Sequence, residues 1–144
     1  MATAQKFEDL EIWQLARALA LSIFRLTKEN EKLLKDYKLK DQMNASAGSV
    51  MDNIAEGFGR GSRLEFIQFL SIANGSADEL KSQLYRCLDR NYITQNELDE
   101  LYELADKVFR KNQSMINYLN QTNVKGQKFK NRTVTNDKRS TKND

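Results

Sequence analysis

Four stretches of this sequence carry residues whose types and spacing could do chemistry. The first is Gln42, Ser49, Asn53 and Glu56, which fall on one face of a helix. Glu56 could act as an acid or a base, but its partner would have to come from another helix. The alternative is a structural polar network that locks this helix against Asn74, Ser76 or Glu79 of the next one and sets register. The second is Gly57-Phe58-Gly59-Arg60-Gly61 with Arg63 beyond it. Glycines ahead of a helix N-terminus could cradle a phosphate with Arg60 and Arg63. No strand precedes them, so neither the dinucleotide fingerprint nor the P-loop is matched, and a tight interhelical turn explains the same glycines. The third is the tail, where Lys125, Lys128, Lys130 and Arg132 surround Phe129. Such a run could track a phosphate backbone and stack a base, or simply solubilise the chain. The fourth is Cys87, which falls near the core face of its helix and reads as an inert buried thiol rather than a redox centre.

Most catalytic chemistry is excluded by composition. The chain has no histidine and one cysteine. Nucleophilic mechanisms of the Ser-His-Asp and Cys-His kinds are therefore absent. Zinc and haem sites lack ligands. We expect no enzyme, no catalytic residue, no cofactor and no metal. A lone thiol makes no internal disulfide, so the reducing cytoplasm is the default compartment. The most apolar early stretch, Ala18 to Phe24, is too short to span a bilayer, and no membrane role is expected.

Charge is distributed unevenly. The 144 residues carry 23 Lys/Arg against 20 Asp/Glu. Residues 124–144 hold seven of those cations and two acids, which leaves 16 and 18 for residues 1–123. The body is thus slightly acidic, and the basic character belongs to a tail whose polar composition predicts disorder. Residues 1–123 form one domain and 124–144 a basic disordered tail.

The elements that must position these residues are helices. Proline is absent and charged residues are 30%, as long helices with solvated outer faces require. The first helix is expected from Leu10 to Thr27 with Asp9 as N-cap. Its apolar arc is broad, because Trp13, Ala20 and Phe24 flank the Ile12–Leu19–Ile23 stripe. Either two neighbours enclose it or part of the face is a subunit interface. A charged connection over residues 28–38 carries Leu33, Leu34 and Tyr37. The second helix runs from Leu39 to Glu56, with Gly57 in the left-handed position that ends it. Its small-residue run Asn44–Ser49 predicts a tight helix–helix contact. Ser62 with Glu65 opens a third helix to Arg90, with Phe66, Phe69, Leu70, Ala77, Leu80 and Leu84 on its core face. Thr94 with Glu97 opens a fourth, ending near Gln121. Short connections make consecutive helices antiparallel neighbours, so the fold class is all-α, an up-and-down four-helix bundle.

Three strings carry a resemblance. They are Phe7–Trp13, Asn53-Ile54-Ala55-Glu56-Gly57-Phe58-Gly59-Arg60, and Glu65 to Ser76 continuing through Glu79-Leu80 and Gln83-Leu84. Over residues 6–120 the chain resembles the four-helix-bundle family found in intervening sequences of bacterial 23S ribosomal RNA genes. The resemblance implies a left-handed bundle and a homo-oligomeric ring, a pentamer. A similar protein, the accessory variability protein of diversity-generating retroelements, associates with nucleic acid and a reverse transcriptase. It therefore implies RNA or DNA as partner; the alternative reading is a scaffold that binds another protein. Members commonly carry two adjacent arginines where this chain has Asn44 and Ala45, and a proline where it has Met51. The basic surface of the folded body is correspondingly reduced.

Overall fold

The computed structural model describes residues 3–124, all of whose regular elements are helical. A single 3₁₀ turn, Phe7–Asp9, leads into α1 (Glu11–Glu29), α2 (Glu31–Lys35), α3 (Tyr37–Gly59), α4 (Arg63–Asp89) and α5 (Gln95–Val124). The four long helices pack in a closed cycle: α1 on α3, α3 on α4, α4 on α5, and α5 back on α1. Each neighbouring pair is antiparallel. Thr27 meets Asn44, Ser49 meets Ser76, Lys81 meets Asp106, and Glu11 meets Lys111.

The core follows the apolar stripes. Leu19, Ile23, Leu39, Ile54, Leu80 and Leu84 have no solvent exposure at all. Burying a side chain of this size contributes about 1.5–3 kcal/mol. The stripe read for α4 includes Phe69, yet that ring is only half-buried: it lies at the bundle's edge under Arg60, whose guanidinium sits 5.1 Å from the ring centroid. The broad arc of α1 is only partly covered. Leu21 and Phe24 remain 46% and 51% exposed, so neighbours among the described residues do not enclose that side.

Helix boundaries differ from the sequence expectation where capping was misassigned. Asp9 does not cap α1. Its carboxylate accepts the Gln5 and Lys6 amides and so closes the preceding turn, and Leu10 is the residue that enters the helix without a side-chain cap. The 28–38 connection is not irregular throughout. Asn30 accepts the Leu33 amide at 2.9 Å and starts α2, and Asp36 accepts the Leu39 amide at 3.3 Å and starts α3 two residues early. At the far end of α3, Gly57 is still helical. The left-handed residue is Gly61, with φ +74°. What Gly57 provides is room. A Cβ there would stand 2.5 Å from Phe69 Cβ, so its hydrogen is what lets α4 approach. Ser62 accepts the Glu65 amide, and Thr94 and Glu97 form both halves of a capping box, at 3.1 and 2.8 Å. α5 continues to Val124, past the expected end near Gln121.

Candidate functional site

The small-residue face of α3 meets α4 across a groove of about 460 Å³. Small side chains let the two backbones close in, and their hydroxyls then reach one another. Ser49 Oγ and Ser76 Oγ lie 2.8 Å apart. Asn53 Nδ2 donates to the Ser49 carbonyl at 2.8 Å and to its hydroxyl at 2.9 Å. One turn away, Ser46 Oγ donates to Glu79 at 3.4 Å. At the end of the groove, Arg86 Nη1 donates to Gln42 Oε1 at 3.1 Å.

The structure therefore places Gln42, Ser49 and Asn53 together on the α3–α4 seam. Glu56 is elsewhere. Its side chain points to solvent and pairs with Arg60, one turn on, at 2.9 Å. Of the expected α4 partners, Ser76 and Glu79 face the seam, whereas Asn74 turns the other way. It accepts from Asn112 Nδ2 at 3.0 Å and donates to the Phe109 carbonyl, tying α4 to α5 inside the core. Asn112 is fully buried. Sequence reasoning passed over it, although an amide at the helical spacing of Ala105, Val108, Ile116 and Leu119 is itself a signal.

Chemically the seam offers hydrogen bonds rather than acid–base work. Its carboxylate and guanidinium, Glu79 and Arg86, stand seven residues apart on α4. Glu79 accepts the Ser46 hydroxyl and Arg86 donates to the Gln42 side-chain carbonyl oxygen, so each is engaged across the seam rather than with the other.

The glycine-rich turn does not assemble an arginine pair. Arg60 is shared by Glu56 at 2.9 Å and Glu65 at 3.8 Å. Arg63 is only 4% exposed and is turned into the body, so it does not meet solvent beside Arg60. An anion at this turn would have to displace two carboxylates. Lys125, Lys128, Phe129, Lys130 and Arg132 lie outside the described residues, as does the expected disorder of the tail.

Several other ionisable groups serve packing. Burial opposes the charge on Lys81, but the Asp106 carboxylate at 2.7 Å outweighs it and holds the ammonium above its ordinary pKa. The same group lies over the Tyr102 and Phe109 rings. The Tyr92 hydroxyl, with help from the Leu39 amide and Arg90, holds the Asp36 carboxyl below its usual range. Cys87 is fully buried, its Sγ 3.5 Å from Met43 Sδ, and burial pushes its pKa up to about 11. The native protein is expected to resist iodoacetamide near neutral pH and to react on unfolding in urea, as read by intact mass. Fast labelling of the folded chain would show that the thiol is accessible. Among the described residues no cluster of three or more Cys, Asp or Glu could hold a metal ion, and no helix is long and apolar enough to cross a membrane.

Residues 8–114 match the family described as 23S rRNA-intervening sequence protein, more than half of the chain and all the helices that form the groove. The chain belongs to this family. A protein of unknown function from the S23 ribosomal protein family of Bacteroides thetaiotaomicron shares the fold, with a TM-score of 0.69 and 25% identity. That match covers 73% of this chain and 97% of the Bacteroides one. No curated protein matches. In this 23S rRNA-intervening sequence protein, the small-residue run of α3 begins at Asn44. Its amide donates to Thr27 Oγ1 at 2.9 Å and so joins α3 to α1.

Proposed function

We propose that this 23S rRNA-intervening sequence protein is a non-catalytic bundle that self-associates and carries nucleic acid, RNA or DNA, on its exterior. The observation that carries the reading is the charge division. A slightly acidic body is joined to residues 124–144, which hold seven cations against two acids. A basic tail attracts phosphates whatever their sequence, through release of condensed counterions. Family membership supports a left-handed bundle assembled as a ring of five. The exposed apolar side chain of Leu21 on α1 supports contact between copies. The groove's lining of serine, glutamine and alanine side chains, with one carboxylate and one guanidinium, supports a body without turnover chemistry.

The test is binding of a labelled single-stranded RNA and a single-stranded DNA to the full chain and to a chain ending at Val124. If about five phosphates are contacted, affinity of the full chain falls on the order of a hundredfold between 50 and 200 mM salt. The shortened chain is expected to bind weakly and with a flatter salt dependence. Equal affinity and slope for both chains would contradict the tail's role.

A second reading, a scaffold for another protein, is favoured by Leu64 and Ile72, two turns apart on the outer face of α4 and 38% and 52% exposed. Capture of a protein partner that survives nuclease treatment and is lost in Ile72→Glu would favour it.

A further inference from the structure

We infer that the corner where α1, α2 and α3 meet is the part of the folded body that binds single-stranded nucleic acid, by stacking bases on Phe24 and Tyr37. The inference rests on the nucleic-acid reading above and adds a second contact surface to the tail.

Phe24 and Tyr37 are 51% and 69% exposed, so both rings are open to solvent. Each ring is accompanied by a cation. Lys28 Nζ lies 5.9 Å from the Phe24 centroid, and Lys40 Nζ lies 5.1 Å from that of Tyr37. Lys28 and Lys40, with Leu34 and Asn44, line a groove of about 390 Å³ that opens beside Phe24. One carboxylate, Asp41, also borders it. An aromatic face with a cation beside it is the unit from which sequence-tolerant single-strand sites are built: the base stacks and the phosphate meets the ammonium.

Charge points to the same occupant. Residues 24–40 contain six cations (Arg25, Lys28, Lys32, Lys35, Lys38 and Lys40) against Glu29, Glu31 and Asp36. Asp36 is already committed to Arg90 at 2.8 Å and to the Tyr92 hydroxyl. Lys81, Arg90, Arg110 and Lys111 meet carboxylates, whereas none of the six does so among the described residues; Lys6, Arg17, Arg86 and Lys107 also lack one but are scattered along the chain. The net-acidic body therefore carries six cations without carboxylate partners within residues 24–40, the stretch that holds Phe24 and Tyr37. Two copies meeting through this same corner would set lysine against lysine.

The test uses the full chain with fluorescein-labelled U20 RNA and dT20 DNA at 50 mM salt. F24A/Y37A is expected to bind both at least about tenfold more weakly, with unchanged sedimentation and melting temperature, because both side chains are exposed and each stacked base contributes several-fold. K28E/K40E is expected to bind more weakly and with a shallower salt dependence. Wild-type affinity in F24A/Y37A would overturn the inference while leaving the tail's role intact. A fall in the mass of that variant, with or without a fall in affinity, would make the corner a contact between copies and overturn it too. So would lost binding to phosphatidylserine vesicles with RNA affinity preserved. Failure of the wild-type chain to bind either oligonucleotide would remove the nucleic-acid reading altogether.

Discussion

Leu80→Ala is expected to cost the bundle about 2–5 kcal/mol, because the side chain is fully buried near the middle of α4 and its loss leaves a cavity that long packed helices close poorly. Against a total stability of about 5–15 kcal/mol, that loss takes a large share of the folded population's margin. Urea unfolding followed by circular dichroism measures it. Ile72→Ala, eight residues earlier and 52% exposed, is expected to stay within about 0.5 kcal/mol. Similar costs at the two positions would mean that α4 is rotated about its axis, with Leu80 no longer facing the core.

Gly57→Ala is expected to destabilise, against the usual sign for a glycine inside a helix. Alanine ordinarily gains about 1 kcal/mol there from helix propensity. At position 57 the new Cβ would stand 2.5 Å from Phe69 Cβ and 3.2 Å from a ring carbon of Phe66. Phe69 Cβ is anchored to the α4 backbone and cannot swing aside, so the helices must separate, at about 1–3 kcal/mol. The net expectation is a loss of up to about 2 kcal/mol. Gly75→Ala is the control. It is mid-helix with open space around the position, and a gain of about 0.5–1 kcal/mol is expected. Stabilisation by both substitutions, read from thermal melts, would show that α3 and α4 do not touch at Gly57.

Much of this architecture was legible in the sequence because it follows from periodicity. Ile12, Leu19 and Ile23, or Leu70, Ala77, Leu80 and Leu84, recur at a spacing that only a helix can bury on one side. The caps at Ser62 and Thr94 were legible for a similar reason: they depend on residues three apart in the chain. What stayed hidden depends on distant neighbours. Three glycines follow Glu56, and nothing local distinguishes the one that admits Phe69 from the one that turns the chain at φ +74°. The side on which Asn74 makes its hydrogen bonds depends on Asn112, 38 residues away. Some misses had signals. Asn30 and Asp36 are ordinary capping residues in a stretch that read as charged connection. Arg63 lies seven residues before Leu70 on the buried stripe, so its position argued for burial although its type argued for the surface.

The candidate nucleic-acid surface was less legible than the fold. Charge counts located the tail but could not show which cations of the body lack carboxylates, since that depends on cross-helix pairs such as Lys81–Asp106 and Arg90–Asp36. Exposure of Phe24 likewise depends on where α2 lies beside α1, not on the composition of α1 itself.

Sedimentation of the full chain with a fluorescent single-stranded RNA, monitored through the RNA label at low salt, tests the proposed function most directly. We expect the label to co-sediment with a species several times heavier than the 16.7 kDa chain and to be released as salt is raised. Protein sedimenting only at 16.7 kDa, with the label remaining free at low salt, would contradict it.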